Sequence, residues 1–169
     1  MKRTLLSLIA IVFLLVACKK DENATKLDTS RKAWQEYKVI INNSYSYKVY
    51  SGSVFGGYHE TRITVQNGQV TERLFIVGIY PPNSPNLEIK STWTETGVQI
   101  GSHKDGAADA ITLDQVYAKA PSLINVDRRN NDIYFEVDSK GLISLCGYNE
   151  KGCMDDCFNG LHIKDIMPL

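Results

Sequence analysis

The sequence has no excess of charge of either sign: 19 basic side chains balance 19 acidic ones among 169 residues. A neutral balance leaves no electrostatic footprint for nucleic acid, so no nucleic-acid partner is expected. No apolar run reaches the roughly 20 residues that a helix needs to cross a hydrocarbon core. There is no G-x-S-x-G elbow, no H-E-x-x-H zinc motif and no phosphate-cradling glycine loop. His59-Glu60 lacks a second histidine, and His59, His103 and His162 lie in separate segments. The C-x-x-C spacing of thiol oxidoreductases is missing too. Asp105, Asp109 and Asp114 lie near His103 as a conceivable acid–base cluster. Their positions fit turn chemistry and favourable charge at a helix start equally well. No catalytic residue and no cofactor is assigned, and the chain is not expected to be an enzyme.

What is present begins at the amino end. Lys2 and Arg3 precede an uncharged run, Leu5–Ala17, of 13 residues. A positive start, a short apolar centre and a small residue before a cut site make a secretory signal over residues 1–17. Leu15-Val16-Ala17-Cys18 resembles the lipobox of bacterial lipoproteins. That resemblance implies a diacylglycerol on the Cys18 thiol, cleavage before Cys18 and acylation of the new amino terminus. Such an anchor exceeds the two signals that stable membrane attachment requires. Cys18-Lys19-Lys20-Asp21-Glu22 is also similar to the export signal of Bacteroidetes surface lipoproteins. It implies an outer-membrane, lipid-anchored protein on the cell surface, with the periplasmic face as the alternative. Residues 18–29 are polar and without apolar period, which reads as a disordered tether, and a single domain is expected over 30–169.

Lipid on Cys18 leaves three of the four cysteines in a compartment that permits disulfides. All three fall in one stretch, Cys146 to Cys157. If the last strand pairs back on residues 142–146, Cys146 comes nearly opposite Cys157. The preferred bond is Cys146–Cys157, then Cys146–Cys153; Cys153–Cys157 needs a tight turn. A weak zinc set is Cys146, Cys153, Cys157 and His162, although the spacing lacks the usual C-x2-C knuckle. Asp155, Asp156 and Asn159 are weak calcium candidates without the loop pattern of known sites.

Apolar periodicity places the elements. Ser30 can cap a short helix from Arg31, with Trp34, Tyr37, Ile40 and Ile41 on one face and Asn42-Asn43 ending it. Three strands follow as a meander, turned at Gly56-Gly57 and at Asn67-Gly68, with Val65 facing Val70. Residues 87–102 add one or two edge strands around Ile89 and Trp93. Thr112 and Gln115 form a capping box before Leu113, Val116, Tyr117 and Ala120, and Pro121 stops that helix. Three strands close the chain, the first two turned at Asp138–Gly141, the last with Leu161, Ile163 and Ile166 inward. The fold class is α+β: a single twisted antiparallel sheet with two helices on one face, in the order α-β-β-β-α-β-β-β.

This arrangement resembles a small domain of unknown function found in bacterial lipoproteins and secreted proteins. The residues carrying the likeness are Trp34, Tyr45-Ser46-Tyr47, Val65–Val70, Thr112-Leu113-Asp114 and Asp138–Ile143. The resemblance supplies no catalytic residue. Nine tyrosines is a rich share, and Tyr45, Tyr47, Tyr50 and Tyr58 cluster in one hairpin. Those pointing outward would make a binding face for a protein or a glycan. The expected function is a lipid-anchored, non-catalytic binding or interaction domain. The alternatives are an inhibitor-like domain acting on an envelope or host enzyme, and a small hydrolase or metal-dependent enzyme built on the loops.

Overall fold

The computed structural model describes residues 22–169. Cys18 and the expected signal segment, residues 1–17, lie outside those residues. Helix α1 (Glu22–Ile40) leads into β1 (Tyr45–Gly52), β2 (Gly57–Gln66), β3 (Gln69–Ile79) and β4 (Glu88–Thr96). Helix α2 (Leu113–Ile124) then precedes β5 (Asn131–Val137), β6 (Ile143–Glu150) and β7 (Asn159–Pro168). All neighbours pair antiparallel in one seven-stranded sheet of order β4-β3-β2-β1-β7-β6-β5. Two meanders are thus joined along one seam, β1 against β7. Edge strand β4 is the addition to the expected order. Among the described residues no helix is long and apolar enough to cross a membrane.

Both helices cover the same face of the sheet. Leu27 and Trp34 from α1 and Leu113, Val116, Tyr117, Ala120 and Ile124 from α2 pack on inward residues of β1, β2, β5, β6 and β7. Trp34 and Asp114 meet at 3.1 Å and Ser30 and Tyr117 at 2.7 Å, so the helices run antiparallel. The capping box of α2 is formed as its sequence predicts. The Asn67-Gly68 turn has positive φ at both residues, and Val65 pairs with Val70. Inward Ile163 and Ile166 differ in parity; a register shift between β1 and β7, with Asp165 at positive φ, turns the chain between them. Such a bulge moves the following side chain to the other face.

Two expectations about the helices are corrected. Helix α1 begins at Glu22, so residues 22–29 belong to the fold and not to a disordered tether. Leu27 is buried in the core, and Lys26 pairs with Glu22 at 2.7 Å one turn apart, which extends the helix backward. Ser30 therefore sits inside the helix and bonds Tyr117 instead of capping. Pro121 does not stop α2 but lies within it. Proline cannot donate to the carbonyl four residues back. That carbonyl, on Tyr117, accepts instead from the Arg31 guanidinium at 3.1 Å.

The cysteine pairing is also corrected. Cys153 and Cys157 form the disulfide, within the β6–β7 connection, and Cys146 stays a free, buried thiol. Cys146 pairs across the ladder with Leu161, not with Cys157. It faces α2, where its Sγ lies 3.8 Å from the Ala120 carbonyl, and burial pushes the thiol up to about 12. A protonated thiol under a helix is neither a metal ligand nor reactive.

Candidate functional site

The four tyrosines do not share a face. Tyr45 and Tyr47 are fully buried beneath the helices, whereas Tyr50 and Tyr58 are outward and half-buried. Strand alternation separates Tyr45 and Tyr47 from Tyr50, because an odd step changes the face. The buried phenols are satisfied: Leu113 N donates to Tyr45 at 2.8 Å, and Tyr47 donates to the Ile111 carbonyl at 2.6 Å. Burial raises both phenols above their ordinary range. Tyr45 and Tyr47 are core residues, and the expected binding face loses them.

The outer face carries a row of rings running across the strands. Tyr80 and Tyr58 meet at 5.7 Å, Tyr50 and His162 at 5.3 Å, and Phe158 and Tyr134 at 6.4 Å. Phe158 stacks on His162 at 4.5 Å and 28°. The Lys164 ammonium bridges the row, 4.7 Å from the Tyr50 ring and 5.3 Å from the Tyr58 ring. It also donates to the Tyr58 hydroxyl at 2.7 Å and pairs with Glu60 at 2.9 Å. Tyr58 donates to Glu60 at 2.6 Å, and Lys48 joins Glu60 to Asp165. Desolvation pushes the Glu60 carboxyl up, yet the bonds from Tyr58 and Lys164 hold it below the usual range. Desolvation disfavours the Lys164 ammonium, but Tyr58 and Glu60 more than offset this and raise its pKa. The lysine is therefore charged and committed to its partners.

Beside this row the sheet splits. The β1–β7 ladder ends at Tyr50 opposite His162, while β1 continues to Gly52 and β7 begins at Asn159. Between the β1–β2 hairpin and the β6–β7 connection lies a cleft of about 500 Å³. Tyr50, Tyr58, Phe158 and His162 supply rings to its wall; Ser51, His59, Asn149 and Asp156 supply polar groups. Gly147 and Gly160 face each other across β6 and β7. A β-carbon on either would lie within 2.8 Å of Phe158 Cζ. The two glycines thus let the facing backbones approach closely and leave room for the tip of the Phe158 ring. Asn149 Oδ1 is buried without a hydrogen-bond partner. Burial lowers the His162 pKa, which keeps the imidazole neutral at pH 7.

No family model matches the chain, and no curated protein or solved structure matches it either. The site is argued from its own geometry.

A second polar cluster lies on the inner face of β3 and β4, beyond the helices. Arg73 grips Glu95 through two bonds of 2.8 and 2.9 Å, and both side chains are buried. The segment 101–111 folds over them. Glu95 accepts from Gly101 N at 2.6 Å, His103 N at 2.7 Å and Ser102 Oγ at 3.0 Å, with His103 Nδ1 at 2.9 Å. Arg73 donates to the carbonyls of His103 and Ala108. Desolvation pushes the Glu95 carboxyl up, but the Arg73 bonds and the backbone donors drive it far below the usual range. His103 also stacks on Trp93 at 4.2 Å.

The conceivable acid–base cluster around His103 is not assembled. Asp105 accepts from Trp93, Asp109 pairs with Lys119, and Asp114 takes Trp34, Gln35 and Lys38. The zinc set is dispersed: Cys153 and Cys157 are oxidised, Cys146 is inward, and His162 is outward beside it in the ladder. Among the described residues no group of three or more His, Cys, Asp or Glu side chains could hold a metal.

Sequence reasoning missed Glu60, Lys164, Phe158 and Asn149 in the cleft region, and Arg73 with Glu95 behind it. Some signal was there. Arg73 stands two positions from Phe75, and Glu95 two from Trp93, so each charge shares a face with a large apolar ring. Opposite charges at matching parity on adjacent strands mark a buried pair. Likewise Leu161 and Ile163 inward put His162 and Lys164 outward together.

Proposed function

We propose that this protein is a lipid-anchored domain of the bacterial envelope, displayed from the outer membrane, that binds a ligand on its open sheet face. The lipobox at Cys18 and the Lys-Asp-Glu run behind it support the anchor and the surface address. The observation that carries binding is the split of the sheet at Tyr50 and His162, which opens a ring-lined cleft on the face the helices leave uncovered. Concave sites that combine aromatic walls with a few placed polar groups are the usual form of ligand pockets. The cleft offers rings, hydroxyls and an amide, which recognise and orient.

A photo-crosslinking amino acid at Ser51, introduced in the native host, tests the reading. The outcome expected is a cross-linked species that disappears with Tyr50→Ala, on a protein whose mature end is an acylated Cys18 by mass spectrometry. A cross-link unaffected by Tyr50→Ala would remove the cleft from the reading. An unprocessed, unacylated chain would remove the anchor.

The inhibitor-like alternative has its own support. Val54 and Phe55 at the β1–β2 tip and Met154 in the disulfide connection are 80%, 82% and 92% exposed. These apolar tips flank the cleft, an arrangement suited to insertion into a partner's groove. In the cross-linking experiment this reading yields an enzyme as the captured species.

A further inference from the structure

The proposed binding role leaves the ligand open, and the cleft's chemistry narrows it. Its capacity, about 500 Å³, suits one or two sugar rings or a compound of like size. Its charge is the first filter. Asp156 is the one carboxylate of its wall, which holds no lysine or arginine, and burial lowers the pKa of the His162 imidazole there. The nearby Lys164 is held by Glu60 and Tyr58. No lysine or arginine of the wall is there to meet a phosphate or carboxylate, and Asp156 repels either.

Shape is the second filter. Phe158 and His162 stack face to face at 4.5 Å, and Tyr50 stands tilted by 46° at 5.3 Å from His162. At the Gly147–Gly160 pair a β-carbon would run first into the facing backbone, the Asn159 and Cys146 carbonyls, and then into the Phe158 ring. A flat ring surface receives the face of a molecule that is apolar on one side. Hydrogen bonding is the third filter. Asn149 Oδ1 is a buried acceptor without a donor, and a buried acceptor left unpaired is costly. A ligand hydroxyl removes that cost once the groups now covering Oδ1 part to admit it.

A neutral molecule with one apolar C–H face and a rim of hydroxyl donors satisfies all three filters. We propose that the cleft between the β1–β2 hairpin and the β6–β7 connection binds a neutral pyranose sugar, its C–H face on the Phe158–His162 surface and a hydroxyl donating to Asn149 Oδ1. Ser51 and Asp156, at the rim, accept further hydroxyls. This rests on the reading of the domain as a binding module and adds the class of ligand.

The test uses the lipidated chain in zwitterionic detergent, free of sugar headgroups. The probes are the methyl pyranosides of glucose, galactose, mannose and N-acetylglucosamine, with cellobiose and chitobiose. Saturation-transfer NMR is expected to detect at least one probe, with a Kd of about 1 mM and transfer concentrated on the ring C–H protons of one sugar face. Asn149→Leu is expected to weaken that probe about tenfold, the loss of one hydrogen bond. Phe158→Ala should abolish binding, but its ring also fills the glycine pair. Asn149→Leu, checked for unchanged thermal melting, therefore carries the decision. Silence of every probe, or equal binding by Asn149→Leu, overturns the proposal. So does a preference for glucuronate over glucose. If the Ser51 cross-link still depends on Tyr50 while every pyranoside stays silent, the sugar is wrong and the binding module stands; a peptide captured there would be that case.

Discussion

The inner face of this sheet is covered in two different ways. Over β1 and β5–β7 lie two helices, joined to the strands by apolar side chains around Trp34, Leu113 and Ile143. Over β3 and β4 lies the segment 101–111, held by the Arg73–Glu95 pair and its backbone bonds. One half is closed by the hydrophobic effect, the other by a buried charge and its donors. Apolar cover is proportional to area and indifferent to pH and salt at first order. An ionic clasp depends on geometry and on the protonation of one carboxylate, and removing either partner leaves the other stranded. The difference teaches why the helix half can be read from periodicity while the loop half cannot.

The largest effect is expected where the apolar cover is thickest. Trp34 is fully buried, edge-on to Tyr45 at 5.0 Å and stacked with Tyr117 at 6.4 Å. Its Nε1 donates to Asp114 at 3.1 Å, which ties α1 to the first turn of α2. Trp34→Ala should cost about 4 kcal/mol by denaturant melting, the usual range for emptying such a site. The loss should be global, with near-ultraviolet circular dichroism collapsing along with helix content. If the strands of β2–β4 melted separately and later, the two covers would be independent units, and the comparison would have to be redrawn as two folding blocks.

The ionic half predicts a different signature. Arg73→Met leaves the Glu95 carboxylate buried without its guanidinium, with the Gly101 and His103 amides, Ser102 Oγ and His103 Nδ1 as its remaining partners, and should cost about 3 kcal/mol. Adding Glu95→Leu should recover part of that loss, since it removes the stranded charge while the Gly101 and His103 amides lose their acceptor. The pH response separates the halves further. The folded pKa of Glu95 is depressed, so the unfolded chain binds its proton first as pH falls. The stability it contributes is present above about pH 4.5, the ordinary value, and is lost as pH falls toward the folded pKa. The double variant should show a flatter decline below that pH than the natural chain. An equal decline would mean that other carboxylates, Glu60 and Asp114 first among them, govern acid unfolding.

The same contrast explains what was legible in the sequence. Turns announced themselves: Asn67-Gly68 and Gly141 need left-handed backbone, and few residues accept it. The capping box of α2 is a local pattern, legible from Thr112 and Gln115 alone. The start of α1 was not, because Leu27 gains its reason only from the tertiary contact that buries it. Pro121 looked like a stop because the Arg31 donor that relieves it comes from another helix. Of the candidate site, Tyr50 and Tyr58 were visible as residue types but not their separation from Tyr45 and Tyr47, which depends on the face that receives the helices. Asn149 and Phe158 carry no local mark of their role. Their role arises where two strands part, and strand parting has no signature in local composition.

The smallest stability effect belongs to the disulfide, and it sharpens the comparison by falling outside both covers. Cys153 and Cys157 are separated by 4 positions, in the connection that forms one wall of the cleft. Chain-entropy arguments limit a bond closing so small a ring to about 2 kcal/mol. The bond ties the connection to itself and not β6 to β7, so the hairpin keeps its ladder without it. Cys153→Ser with Cys157→Ser should therefore move the melting midpoint by only a few degrees, since about 1 kcal/mol shifts a domain of this size by roughly 2–4 °C. Hydrogen exchange should quicken in residues 151–158 and stay unchanged in β6, β7 and α2. Ligand capture at the cleft should suffer more than stability, because Asp156 and Phe158 lose the ring that positions them. A large drop in melting midpoint would instead make this connection a third fastening of the fold. Unchanged exchange across residues 151–158 would show that the Phe158 stack on His162, and not the covalent bond, orders the wall.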